Sequence, residues 1–179
     1  MNAEVIDNPA GGSFNKEKLD KCVDILKGKF SDVKLTLTSS PNEAGILAKN
    51  SAADVIIAAG GDGIINEAAA GMVDKPAAFS ALPFGTVNVF CREHKIPLNP
   101  VKAAEQFNPD NRQLLPLGYL DERPFVLMCG IGYDAYVVRS VTLKKYHKNK
   151  TFAHLKDGVT ALGEKYPLLT FYADGKEYE

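Results

Sequence analysis

Asp62 sits inside the tetrad Gly60-Gly61-Asp62-Gly63, and the two residue types there make opposing demands. Glycines let backbone N–H groups come close to an anion, and phosphate is the anion most often held this way. A carboxylate at the same place repels phosphate unless a cation lies between them, and Mg²⁺ is the usual one. Asp62 is therefore the first candidate for chemistry, with Gly60, Gly61 and Gly63 as the cradle.

The tetrad is positioned by what flanks it. Asp54–Ala59 is a strongly apolar run, read as a buried strand, and Ile64 onward has a helical pattern ending near Gly71. A glycine turn between a strand and a helix N-terminus adds the partial positive charge of the helix end. Two further glycine-bearing loops follow strand-like runs. Asn8–Gly12 follows Ala3–Asp7, and Pro83–Thr86 follows Ala77–Leu82. A strand at Val33–Thr38 and helices at Asn15–Phe30, about 41–50, Thr86–Glu93 and Val101–Phe107 complete an alternation of strand and helix. Ser40-Pro41-Asn42-Glu43 reads as a capping box with proline at the first helical position. Such alternation predicts an α/β fold with a mostly parallel sheet, whose carboxyl-end loops converge on one crevice.

The pattern changes near Asp110-Asn111-Arg112, which places a domain boundary at 112/113: an α/β domain over 1–112 and a β-rich domain over 113–179. In the second part, Gln113–Leu120 and Phe125–Cys129 read as a hairpin joined through Asp121–Pro124. Asp134–Thr142 and Phe152–Tyr166 read as helices, and Leu168–Tyr172 as a strand. The turn chemistry of Ala173–Lys176 asks for a returning strand close to the last residue, so Leu168–Tyr172 is expected to leave an apolar edge unpaired and to promote self-association or a homodimer.

Composition narrows the function classes. With 45% hydrophobic and 24% charged residues, the 179-residue chain can build an ordinary globular core. A net charge of −1 gives no bulk reason to bind nucleic acid. Cys22, Cys91 and Cys129 lack metal spacing and lie in apolar patterns, so all three are expected as buried free thiols. The N-terminus has no basic and apolar leader pattern, and no run reaches a membrane span of about 20 residues, so a cytoplasmic location with at most peripheral membrane contact is expected. Lys144–Lys150 reads as a solvated basic segment, with attraction to anionic lipid as its functional alternative. The G-x-x-x-x-G-K-[ST] loop, the G-x-G-x-x-G fingerprint after the first strand and the protein-kinase H-R-D and D-F-G elements are absent.

The order Asn8-Pro9-Ala10-Gly11-Gly12, Gly60 to Glu67 and Leu82 to Phe90, with Gly130-Ile131-Gly132-Tyr133-Asp134 behind it, resembles the diacylglycerol kinase catalytic-domain family, which includes the sphingosine kinases. The resemblance implies a domain related to phosphofructokinase and NAD kinase, followed by the start of a β-sandwich domain. It implies ATP as phosphoryl donor, with Mg²⁺, and a lipid hydroxyl at a membrane surface as acceptor. By carry-over, Gly60, Gly61, Asp62, Gly63, Ile64, Ile65 and Asn66 would surround the nucleotide phosphates. Gly85 and Thr86 would join them, Asn8, Gly12 and Thr38 would contact nucleotide, and Asp62 would hold Mg²⁺ through water. Glu67 would brace the loop.

Ile64 stands where the family most often has threonine, and Val89 where many bacterial members have aspartate. The family's general base belongs to a downstream acidic motif with no counterpart here, so the chain reads as an incomplete portion of a family member. NAD kinase shares the Gly-Gly-Asp-Gly turn and is the alternative enzyme. A catalytically incomplete nucleotide-binding module is the other alternative.

Overall fold

A computed structural model describes residues 1–133, 135 and 170–178. Four strands, β1 (Asn2–Asp7), β2 (Asp32–Leu37), β3 (Val55–Gly60) and β4 (Ala78–Pro83), form one parallel sheet in the order β2-β1-β3-β4. Five helices lie between and after them: α1 (Lys16–Lys27), α2 (Glu43–Asn50), α3 (Asp62–Ala70), α4 (Val89–Glu93) and α5 (Pro100–Gln106). The expected α/β fold is the observed one.

The sequence of β3 shows why it lies inside. All six residues are buried, and they divide by parity between two cores. Val55, Ile57 and Ala59 meet Leu19, Cys22 and Leu26 of α1 and Ala103 and Ala104 of α5. Ile56 and Ala58 meet Ala44 and Ala48 of α2 and Ile65 and Ala68 of α3 on the other face. Each fully buried Ile or Leu contributes about 1.5–3 kcal/mol relative to exposure.

Helix α1 presents Leu19, Cys22, Val23 and Leu26 to the sheet at a spacing of three and four, and starts where Asn15 Oδ1 accepts the Lys18 N–H at 2.9 Å. Helix α5 is capped likewise by Asn99, with Pro100 in its first turn. The capping box before α2 forms only in part. Glu43 accepts the Ser40 N–H at 3.0 Å, but the helix starts at Glu43 and the left-handed residue before it is Asn42. Ser40 and Pro41 therefore lie in the preceding turn rather than in the cap and first helical positions.

Beyond the sheet, β5 (Gly118–Leu120) and β6 (Arg123–Phe125) form a short antiparallel hairpin, three residues a side. It is shorter than the runs expected over Gln113–Cys129. The described residues divide into two compact units, Met1–Met128 and Cys129–Glu179. In the second, β7 (Phe171–Ala173) pairs antiparallel with β8 (Lys176–Tyr178). The returning strand that the Asp174-Gly175 turn asks for is there: three residues suffice, and they pair with one edge of β7. The helices expected at Asp134–Thr142 and Phe152–Tyr166, and the basic run Lys144–Lys150, lie outside the described residues. Cys22 and Cys91 are buried, as expected, while Cys129 is exposed.

Candidate functional site

The parallel register brings four strand ends to one edge. Asp7 lies opposite Leu37 and Ala59, and Gly60 lies opposite Pro83. The chain runs from β1 to β2 on one side and returns to β3 on the other, so the crossover in direction falls between β1 and β3. Open α/β sheets form their ligand crevice at the carboxyl end of such a point. Asn8–Gly12, the glycine turn, and Phe84–Thr86 all leave from this edge, and Thr38 follows β2 there.

The turn is shorter than the sequence suggests. Gly60 ends β3, Gly61 is the N-cap of α3, and Asp62 and Gly63 already belong to the helix. Gly60 adopts φ +153°, and a Cβ there would lie 2.3 Å from Ile64 Cγ2, so only glycine fits. Ile64, where the family favours threonine, is buried and fills that space. Gly61 and Gly85 touch backbone to backbone: a Cβ on Gly85 would lie 2.5 Å from Gly61 Cα. The Phe84 N–H donates to Gly60 O at 2.9 Å, which ties the two loops together at their bases. By contrast, a Cβ on Gly63 or Gly12 would meet nothing within 4 Å, so packing within the described residues does not demand glycine at either place.

Helix α3 has no side-chain cap. Its opening N–H groups are available to an anion at a helix end of partial positive charge, unlike those of α1 and α5. Asp62, half-buried in the first turn, accepts the Phe90 N–H through Oδ1 at 3.2 Å. One carboxylate oxygen thus steadies α4, and the side chain is held beside the turn.

The other expected residues separate into groups. Thr86 is exposed next to Gly85, Asn8 is half-buried, and Gly12 is exposed on the first loop. Thr38 is buried, its N–H donating to Asp7 O at 2.8 Å. Ile65 is fully buried in the core under α3. Asn66 Oδ1 accepts the Val126 N–H at 3.0 Å, which joins α3 to the segment after β6. Glu67 makes no side-chain hydrogen bond among the described residues, and burial pushes its carboxyl above the ordinary value.

Two residues at this edge were not among the expected site residues. Asn88 has φ +53° and is 5% exposed; its Oδ1 accepts the Gly85 N–H at 2.9 Å and its Nδ2 donates to Gly85 O at 2.8 Å. This double clasp closes the loop after β4 into a ring. Asp7 is 1% exposed; Oδ1 accepts the Asn8 N–H at 2.6 Å, and Oδ2 is buried with no partner among the described residues. Burial raises its carboxyl to about 6. A carboxylate ending a strand just before the first glycine-bearing loop is the signal that could have found Asp7.

Residues 2–119 match the family model described as the diacylglycerol kinase catalytic domain. The chain belongs to that family. A diacylglycerol kinase from Staphylococcus aureus (strain JH9) is 29% identical over 137 residues, covering 73% of this chain and 43% of the relative. An uncharacterised Synechocystis protein is 26% identical over 176 residues, covering 90% of this chain and 40% of that protein. The crystal structure of a diacylglycerol kinase from Bacillus anthracis superposes with a TM-score of 0.54 at 29% identity, over 58% of this chain and 38% of that one. This member of the diacylglycerol kinase catalytic-domain family thus spans about two fifths of the length of the relatives it matches. No helix among its described residues is long and apolar enough to cross a membrane.

Proposed function

We propose that this chain forms the nucleotide-binding part of an ATP-dependent lipid kinase, which transfers the γ-phosphoryl group to a lipid primary hydroxyl at a membrane surface. The observation that carries the reading is the closure of the glycine turn against Gly85 beside the uncapped start of α3, in a chain of this family. Catalysis of phosphoryl transfer is mostly positioning and charge neutralisation. The residues at this edge are suited to both. Gly60, Gly61 and Gly63 let the phosphates approach backbone N–H groups, Gly85 and Thr86 form the facing wall, and Asn8, Gly12 and Thr38 border the β1–β2 side.

Among the described residues, no cluster of three or more His, Cys, Asp and Glu could hold a metal ion by itself. One carboxylate with phosphate and water oxygens is nevertheless a common donor set for Mg²⁺, and Asp62 fits it. Mg²⁺ bound there would neutralise charge on the phosphates. The division at 112/113 into nucleotide-binding and β-rich parts is retained as a proposal, with the acceptor lipid on the second part. Diacylglycerol, named for the relatives, is the first acceptor to try.

The test is transfer of labelled phosphate from ATP to diacylglycerol in mixed micelles, with ATP binding measured alongside. Asp62→Ala is expected to keep its fold and lose transfer by on the order of a hundredfold or more. Undiminished transfer by a folded Asp62→Ala protein would refute the metal role. ATP binding without transfer to any lipid would identify a nucleotide-binding module instead.

A further inference from the structure

We propose that Asp7 is a further nucleotide-contacting residue, its free carboxylate oxygen accepting a hydrogen bond from a ribose hydroxyl of the phosphoryl donor. The inference rests on the nucleotide reading above and deepens it.

Buried polar atoms without partners are rare in folded proteins, and each asks for an explanation. Asp7 Oδ2 is such an atom, and its position is informative. Asp7 ends β1, directly beside the crossover between β1 and β3. The side chain turns toward the edge of the sheet rather than along the strand, because Oδ1 accepts the N–H of the next residue. The same oxygen lies 3.9 Å from where a Cβ on Gly60 would stand. The carboxyl group therefore sits between the first loop and the glycine turn.

The direction in which a nucleotide can lie selects the group that meets it. Phosphates on the Gly60–Gly61 turn are closed off on the β4 side, where Gly85 abuts Gly61. The nucleoside must then extend over β1 and β2. Adjacent strands lie about 4.8 Å apart, so the sugar next to the α-phosphate falls over the end of β1. A carboxylate there cannot face phosphate without repulsion, but ribose hydroxyls are donors. Pairing an acidic side chain with a ribose hydroxyl is sound chemistry in a nucleotide crevice. With its carboxyl titrating at about 6, Asp7 is mainly an acceptor at neutral pH. Contact requires the Asn8–Gly12 loop to give way, and Pro9 to Gly12 are exposed rather than packed.

The experiment is calorimetric binding of ATP, 2′-deoxyATP and 3′-deoxyATP, with Mg²⁺, to the parent chain and to Asp7→Val at pH 7.5. A hydrogen bond to a charged group corresponds to on the order of a tenfold to hundredfold change in Kd. The parent is expected to bind at least one deoxy analogue more weakly than ATP by that factor. In Asp7→Val, ATP binding should fall to the level of that analogue and the discrimination should vanish. Equal binding of all three nucleotides by the parent overturns the assignment, and this comparison needs no variant. Discrimination that survives in a folded Asp7→Val protein overturns it as well. Absence of any ATP binding by the folded parent defeats the nucleotide reading itself, a result distinct from equal binding.

Discussion

Glu4 and Asp7 are buried carboxylates three residues apart on β1, and the fold surrounds them very differently. Glu4, in the middle of the strand, accepts Thr36 Oγ1 and Ser51 Oγ, and Lys34 Nζ lies 2.9 Å from Oε1. Burial alone would raise its pKa, yet these donors outweigh that and hold the carboxyl below its ordinary value. Asp7, at the carboxyl end, has one backbone donor, and burial wins, lifting it to about 6. The partners of Glu4 come from β2, where the register sets Lys34 and Thr36, and from Ser51 at the end of α2. Asp7 is the last residue of β1 in that register, opposite Leu37 and Ala59, at the edge where loops replace strands. A charge inside the sheet is compensated by the fold, whereas a charge at the crevice is left for something the described residues do not supply.

The sharpest way to break this contrast is to remove Glu4. Glu4→Ala takes the common acceptor from two hydroxyls and an ammonium group, and should cost about 3 kcal/mol, read as a lowered urea midpoint at pH 7. A loss below about 1 kcal/mol would mean that the network is ornamental. Asp7→Asn should act in the opposite sense. The folded-state pKa of Asp7 is raised from 3.8 to about 6, so its contribution is fully present below pH 3.8 and is lost as pH rises through about 6. The ionisation penalty above that window is roughly 2–3 kcal/mol. Asp7→Asn keeps an acceptor for the Asn8 N–H and should regain most of it at pH 7.5, with little gain at pH 4. A variant no more stable than the parent at pH 7.5 would show that Asp7 is compensated after all.

The same contrast explains what could be read in advance. The alternation of strand and helix and the buried run of β3 follow from local periodicity, so the α/β order is visible in the residues themselves. The three glycine loops could be placed together because a parallel sheet puts its exit loops on one edge. What escaped needed tertiary contacts. Gly85 reads as an ordinary turn glycine in sequence, yet only the backbone contact with Gly61, 2.5 Å from where a Cβ would stand, shows why it is small. Asn66 belongs to the same motif as Asp62, but its carbonyl is spent on Val126, a bond 60 residues long in sequence. Asp7 looked like the end of a strand, and only the missing partner on Oδ2 sets it apart. The turn between β7 and β8 was legible at Ala173–Lys176, but β8 itself was not, because a three-residue returning strand is too short to show periodicity.

The finest test of the comparison leaves both carboxylates in place. Thr36→Val removes one hydroxyl donor from Glu4 while keeping a β-branched side chain on β2. If Glu4 is held low by the sum of its donors, losing one should cost about 1 kcal/mol at pH 7. The pH dependence carries more information than the size of that loss. A depressed carboxyl contributes stability above its unfolded value of 4.5 that is lost as pH falls through the folded value. With fewer donors the folded value rises toward 4.5, so Thr36→Val and the parent should converge in stability on acidification, where Glu4 is protonated in both. Asp7 produces the reverse slope, stability falling as pH rises. Unfolding curves of Thr36→Val and Asp7→Asn between pH 3.5 and 7.5 should therefore both approach the parent at the acidic end and separate from it in opposite directions toward neutrality. Parallel curves for the two variants would mean that the two carboxylates are not compensated differently, and the distinction between sheet interior and crevice edge would fall with them.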